Sequence, residues 1–248
     1  MTVPFNVVIP ARYASTRFPG KALVDIAGKP MIQHVYERAL ASAAQQVVIA
    51  TDDLRILQAA EGFGARACMT GEQHASGSDR LAEVVSIYNW PDETIVVNVQ
   101  GDEPMIPPAN ITQVATDIDG HPQAAIATLV TDFNDENELR SPDNVKVVCD
   151  RDGYALYFSR SVIPYDRDGS GAVAYLRHIG LYAYRAKYLK EFTRLAPAPF
   201  ELQEKLEQLR ALWYGWKIHV ARAEEQPAAG VDTPEDLSRL LESLNHNE

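Results

Sequence analysis

Short, nearly unbroken apolar runs separated by stretches of helical period constrain this chain more than any other feature. The runs at 6–10, 47–51, 67–70 and 94–99 read as strands buried on both faces. Between them, Met31, Ile32, Val35, Ala39 and Leu40 mark one face of a helix over 31–44, with Pro30 suited to its first turn. Helices are also predicted over 54–62, led by Asp52 and Asp53, and over 80–88. Strands covered on both sides by helices form a parallel sheet, so the fold class is α/β. The second half changes texture. Strands are expected at 124–130, 145–149, 155–159, 178–184 and 217–223, and helices at 187–195, 201–214 and 234–244. The last helix takes Asp232 or Thr233 as its N-cap and Pro234 at its first position. Gly169-Ser170-Gly171 marks a flexible loop, and no clean linker divides the chain.

The first strand runs into Ala11-Arg12-Tyr13-Ala14-Ser15-Thr16-Arg17-Phe18-Pro19-Gly20-Lys21. No Asp or Glu appears before Asp25, although the whole chain carries a formal charge of −11. An acidic protein that clears carboxylates from one basic loop is building a local anion site. The guanidinium forks of Arg12 and Arg17, the Lys21 ammonium and the hydroxyls of Ser15 and Thr16 suit phosphate oxygens, and Gly20 permits close backbone approach. A plain solvated loop is the competing reading. Position favours phosphate, because ligands collect at the carboxyl ends of strands in such folds. Neither G-x-G-x-x-G nor G-x-x-x-x-G-K-[ST] is present, since Ala22 follows Lys21, which disfavours a dinucleotide fold or a P-loop ATPase.

At 248 residues and 46% hydrophobic content the chain can bury a full core. It shows no membrane-length apolar run and no secretory signal, so a cytoplasmic protein without a membrane partner is expected. The acidic balance argues against nucleic acid. Cys68 and Cys149 are far apart and lie in apolar runs, where they read as core residues.

Three further segments carry chemistry. Val99-Gln100-Gly101-Asp102-Glu103-Pro104 follows the most apolar strand, and its Asp102 suits either a surface turn or a hydrated divalent ion. Asp232, in Val231-Asp232-Thr233-Pro234-Glu235-Asp236, suits either a helix cap or a metal. His74-Ala75-Ser76-Gly77-Ser78-Asp79-Arg80 is a polar loop running into a helix, where Ser78 with Leu81 fails a capping box but Asp79 complements the helix dipole.

The opening loop resembles the signature P-A-R-x-x-S-[ST]-R-x-P-G-K of the sugar-activating nucleotidyltransferases, and is most similar to that of the CMP-3-deoxy-D-manno-octulosonate synthetase family. The resemblance extends through Q-G-D-E-P at 100–104 and V-D-T-P-E-D at 231–236. It includes the loop at 74–80, where Ser78 replaces a Thr and Gly71-Glu72 stands where a basic residue is usual. It continues through Tyr157-Phe158-Ser159-Arg160, through Arg177-His178-Ile179-Gly180-Leu181-Tyr182-Ala183-Tyr184-Arg185, and through Leu206-Glu207-Gln208-Leu209-Arg210.

The resemblance implies a Rossmann-like nucleotidyltransferase fold with a mostly parallel central sheet and a smaller mixed α/β sugar-binding and dimerisation part. The whole of 1–248 is then one domain, with 1–123 mainly nucleotide-binding and 124–225 mainly sugar-binding and dimerising. It implies transfer of CMP from CTP to an acidic eight-carbon sugar, with Arg12, Arg17, Lys21 and Asp102 catalytic. Ala11, Arg12, Ser15, Arg17, Lys21, His74, Ser76, Arg80 and Gln100 would bind nucleotide. Gln100, Arg160, His178, Tyr182, Glu207 and Gln208 would bind sugar, with Arg160 and His178 meeting its carboxylate. Asp102 and Asp232 would hold Mg²⁺, as one ion or two. A homodimer serving lipopolysaccharide or capsule synthesis is expected. An amino variant of the sugar, a sialic acid, or a non-catalytic nucleotide-binding role stay open.

Overall fold

The computed structural model describes residues 3–245 apart from positions 16 and 75, so the hydroxyl expected at Thr16 lies outside the described residues. β1 (Phe5–Ala11) leads through the basic loop to a 3-10 turn (Lys21–Leu23), the short strands β2 (Asp25–Ile26) and β3 (Lys29–Pro30), and α1 (Met31–Ala41). Then come β4 (Gln46–Thr51), α2 (Leu54–Gly62), β5 (Ala67–Met69), α3 (Gly77–Ile87), β6 (Ile95–Asn98), α4 (Pro108–Gly120) and β7 (Ala124–Asp132). The second half adds α5 (Glu136–Arg140), β8 (Lys146–Cys149), β9 (Ala155–Ser159), β10 (Leu176–Arg185) and α6 (Ala186–Phe192). It ends with α7 (Pro199–Glu204), α8 (Gln208–Trp213), β11 (Lys217–Arg222) and α9 (Pro234–Asn245).

The main sheet runs β11-β7-β10-β6-β1-β4-β5, with β8 paired to β10 and β9 to β8, and it crosses the 123/124 boundary unbroken. Its seven-strand path is parallel except for β10, which runs against both β6 and β7. Successive strand residues serve opposite faces. Val7 and Ile9 join one core with Ile49, Val97, Ile111 and Val114, whereas Val8 joins a second with Val48, Val96, Leu81 and Phe158. Both cores are built from buried apolar side chains, which explains why these strands carry so few polar residues. A third, small cluster packs Ile26, Met31 and Val231 under Leu237, Leu240 and Leu241, and docks α9 against the chain just beyond the basic loop. No helix among the described residues is long and apolar enough to cross a membrane.

Several boundaries differ from expectation. The helix expected over 201–214 is two helices, broken where Lys205 takes the left-handed conformation at φ 54°. Residues nine apart on a continuous helix stand on opposite sides of it. The break folds α8 back so that Arg210 reaches Glu201 at 2.5 Å, with both side chains 10% exposed. Pro30 caps α1 from outside with extended backbone instead of entering its first turn. Cys68 is buried, but Cys149 is only partly covered at the end of β8.

Candidate active site

The basic loop is held over the carboxyl end of β1. Gly20, at φ 73°, donates its amide to Tyr13 O at 2.8 Å, and a Cβ there would press on the Tyr13 ring at 3.1 Å. This turn starts the 3-10 turn that aims Lys21 across to the loop after β6. There Gly101 lies so close to β1 that a Cβ would meet the Pro10 carbonyl at 2.9 Å, so only glycine seats this loop. Pro10, Ala11, Arg12, Ser15, Lys21, Gln100 and Asp102 surround a cavity of about 190 Å³.

The Lys21 ammonium donates to Asp102 Oδ2 at 2.6 Å and to Asp232 Oδ1 at 2.7 Å, joining carboxylates 130 residues apart in sequence. Burial alone would push the lysine pKa down, but the two aspartates outweigh it and hold the ammonium above its ordinary value. Arg17 adds an ion pair to Asp232 Oδ2 at 2.9 Å. Asp232 is able to face this way because it does not cap α9. Thr233 Oγ1 accepts from the Asp236 amide at 3.2 Å, while Asp236 Oδ2 accepts from the Thr233 amide at 2.9 Å, a capping box that leaves Asp232 to the cleft. Of the two N-cap candidates, the structure selects Thr233.

Arg12 crosses to the 74–80 loop and donates to His74 O at 2.7 Å, while the His74 ring bonds Glu83. α3 begins three residues earlier than expected, with Ser76 as its N-cap in a reciprocal box with Asp79. Arg80 is fully buried: its guanidinium bonds Asp52 at 2.5 Å and Thr70, tying α3 to the ends of β4 and β5. Of the three nucleotide residues expected in this loop, the structure thus gives Ser76 a capping bond and Arg80 an interior ion pair. A fully buried guanidinium has no face toward a ligand.

The reversed strand β10 brings the other residues to the same end of the sheet. Its pairing with β7 slips between Ile179 and Tyr182, and the bulge sets Gly180 O 3.2 Å from Gln100 Nε2. His178 Nε2 lies 3.0 Å from Thr128 Oγ1, with Phe158 and Tyr182 packed on its ring. Burial pushes the His178 pKa down to about 3, so the ring is neutral near pH 7 and cannot be the cation expected for a sugar carboxylate. Arg160 points elsewhere, donating to Glu204 O and Pro142 O, each at 2.7 Å. Burial also holds the Tyr182 phenol well above its usual pKa.

Glu207 caps α8 just past the helix break and accepts from Ser78 Oγ at 2.8 Å. Its burial outweighs hydrogen bonds from Ser76 and Ser78 and raises its pKa, and its buried Oε1 has no hydrogen-bond partner. Gln208 beside it is buried. Glu103 was missed as an individual, although it stands inside a quoted motif. Burial, with the charge of Asp102 adding, pushes Glu103 up to about 8, and Arg177 opposes the shift. Its carboxyl group lies beside Gly180, an approach that sequence spacing cannot reveal.

The chain matches the cytidylyltransferase family model over residues 6–218. It is 55% identical over 246 residues to the 3-deoxy-manno-octulosonate cytidylyltransferase of Pseudoalteromonas atlantica, covering 96% of each chain. It is 56% identical over 242 residues to the protein of that name from Vibrio campbellii, covering 95% of this chain and 96% of the other. A solved CMP:2-keto-3-deoxy-manno-octonic acid synthetase complexed with CTP superposes with a TM-score of 0.92 at 43% identity, covering 99% of this chain and 100% of that one. The chain therefore belongs to the 3-deoxy-manno-octulosonate cytidylyltransferase family.

Proposed function

We propose that this enzyme transfers CMP from CTP to 3-deoxy-D-manno-octulosonate and releases pyrophosphate. The observation that carries the proposal is the convergence of Arg17, Lys21, Asp102 and Asp232 at the carboxyl ends of β1 and β6. The sugar hydroxyl attacks the α-phosphorus in line while pyrophosphate departs, and charge builds on the phosphate oxygens. Lys21 and Arg17 face that charge from fixed positions, which lowers the barrier more than mobile solvent cations would. Gln100 at the bulge and the loop behind Arg12 orient the two substrates. Glu207, shielded from water, offers an acceptor to a sugar hydroxyl.

Mg²⁺ is part of this proposal. Asp102 and Asp232 already place two carboxylate oxygens within 2.7 Å of one ammonium nitrogen, so they converge on a space that a cation fits, and an all-oxygen donor set suits a hard ion. When bound there, Mg²⁺ would supply further neutralisation of phosphate charge. With Asp102 and Asp232 taken over by the ion, the Lys21 ammonium beside them would pair with the triphosphate instead.

We further place the reaction in the cytoplasm, in lipopolysaccharide or capsule synthesis, and in a homodimer. The test is pyrophosphate release with CTP, Mg²⁺ and a panel of acid sugars. Release with the octulosonate and not with a sialic acid supports the reading, whereas no release with any of them refutes it.

A further inference from the structure

At the end of α4 away from the cleft, two imidazoles and a carboxylate meet. Asp117 lies in the last turn of α4 and His121 is its C-cap, while His219 comes from β11. The two rings stack with centroids 3.4 Å apart and planes 15° from parallel. His219 Nδ1 lies 2.7 Å from Asp117 Oδ2, and His121 Nδ1 lies 3.4 Å from Oδ1 and 2.8 Å from the Asp117 carbonyl. One donor atom from each residue falls within 4.8 Å of the others. Tyr154 stands edge-on to both rings, at 5.3 and 6.3 Å. Backbone at Gly153 closes off the far side of His219, where a Cβ would meet Nε2 at 2.9 Å. That leaves Nδ1 as the nitrogen facing the other two groups.

We propose that Asp117, His121 and His219 form a second metal site, for a borderline cation of the Zn²⁺ and Co²⁺ class. Two nitrogens bound to Zn²⁺ at about 2.0–2.1 Å and at a tetrahedral angle stand roughly 3.4 Å apart, so donor atoms that lie within 4.8 Å of one another have only a short way to close. Two imidazoles and one carboxylate select such ions over Mg²⁺, which takes oxygen ligands. Both Nδ1 atoms now face acceptor oxygens of Asp117 and so carry the ring proton; on binding, each ring shifts that proton to Nε2 and turns its Nδ1 lone pair to the ion. His121 has room to tilt, since its side chain is 35% exposed. The cluster borders an open depression of about 540 Å³ that also exposes Glu224, so the ion has a path in and the fourth position is open to water or that carboxylate. An ion here would clamp the end of α4 to β11. These two elements lead from the Asp102 loop and toward Asp232, but none of the three ligands touches the cleft.

The test uses untagged, chelator-stripped protein. Titration with Co²⁺ should give the visible absorption of tetrahedral coordination at one ion per chain. Zn²⁺ at a hundredfold excess over its Kd should raise Tm by about 5–10 °C, and Mg²⁺ should not. His121→Ala and Asp117→Asn should remove both signals while CTP turnover without Zn²⁺ stays at the wild-type level. Absence of the Co²⁺ band, or a band that survives His121→Ala, overturns the proposal.

Discussion

Asp232→Asn is the sharpest perturbation of the cleft, because the structure separates its two suggested jobs. The cap of α9 belongs to Thr233 and Asp236, so Asn at 232 leaves the helix start intact. What is lost is charge. The Arg17–Asp232 pair is 61% and 41% exposed, which puts its worth at about 0–1 kcal/mol. The bond to Lys21 is better shielded on the lysine side, at 15% exposure, but Lys21 keeps Asp102 as a partner. The stability loss should stay near 1 kcal/mol, or about 2–4 °C in Tm for a chain of this size. Catalysis should suffer far more. Loss of a preorganised electrostatic contact costs on the order of 10²–10³ in turnover. Mutating even a residue that only orients a metal ligand typically costs about 10–100-fold in affinity, so a change at a ligand should cost at least that. The assay is pyrophosphate release at saturating CTP over a Mg²⁺ titration, with a melting curve on the same sample. Turnover and Mg²⁺ half-saturation both within twofold of wild type would refute the assignment of Asp232 to the metal.

Lys21→Met should cut turnover by on the order of 10²–10³ while CD still reports a folded chain, and near-normal turnover would contradict the proposed neutralising role. His178, held neutral with a pKa near 3, binds a proton more readily when unfolded, so it contributes stability above about pH 6.5 that is lost as pH falls. His178→Gln should therefore flatten the acid side of the stability–pH curve, by at most about 1.4 kcal/mol per pH unit. An unchanged slope in denaturant titrations at pH 4–7 counts against this. Lys205→Gly should be neutral or stabilising and Lys205→Val destabilising by about 1–2 kcal/mol, because the left-handed backbone there suits glycine. Equal urea midpoints for the two variants would dispose of that reasoning.

The α/β alternation was legible because Val7, Val8 and Ile9 have to be apolar on both sides, and that demand is written locally. The helix break at Lys205 was not, since Lys205 carries no breaker signature and the Arg210–Glu201 pair that accompanies it forms only after folding. Arg80 illustrates the same limit. A cation in a polar loop reads as a nucleotide ligand until Asp52 and Thr70, just past the ends of β4 and β5, close around it. The approach of Asp102 to Asp232 was named from motif resemblance and from the placement of each carboxylate between an apolar segment and a proline-marked turn or helix start. Its physical agent, the Lys21 ammonium, lies in a third segment, and no spacing rule links three such positions.

The reversed strand β10 has one consequence for how the enzyme can vary. It is hydrogen-bonded directly to β6, with Tyr182 opposite Asn98, and the Asp102 loop follows two residues later. The strand that carries His178 and Tyr182 and the strand that leads to Asp102 are therefore spaced by a ladder of amide bonds, a ruler whose unit is one residue. Loop 160–175 can lengthen or shorten outside that ruler without moving the reacting atoms. A one-residue insertion within the Gly180–Leu181 bulge would instead move His178 to the opposite face of the sheet. Tolerance to change in this molecule should follow the ladder, with the outer loop free to drift and the bulge fixed in length.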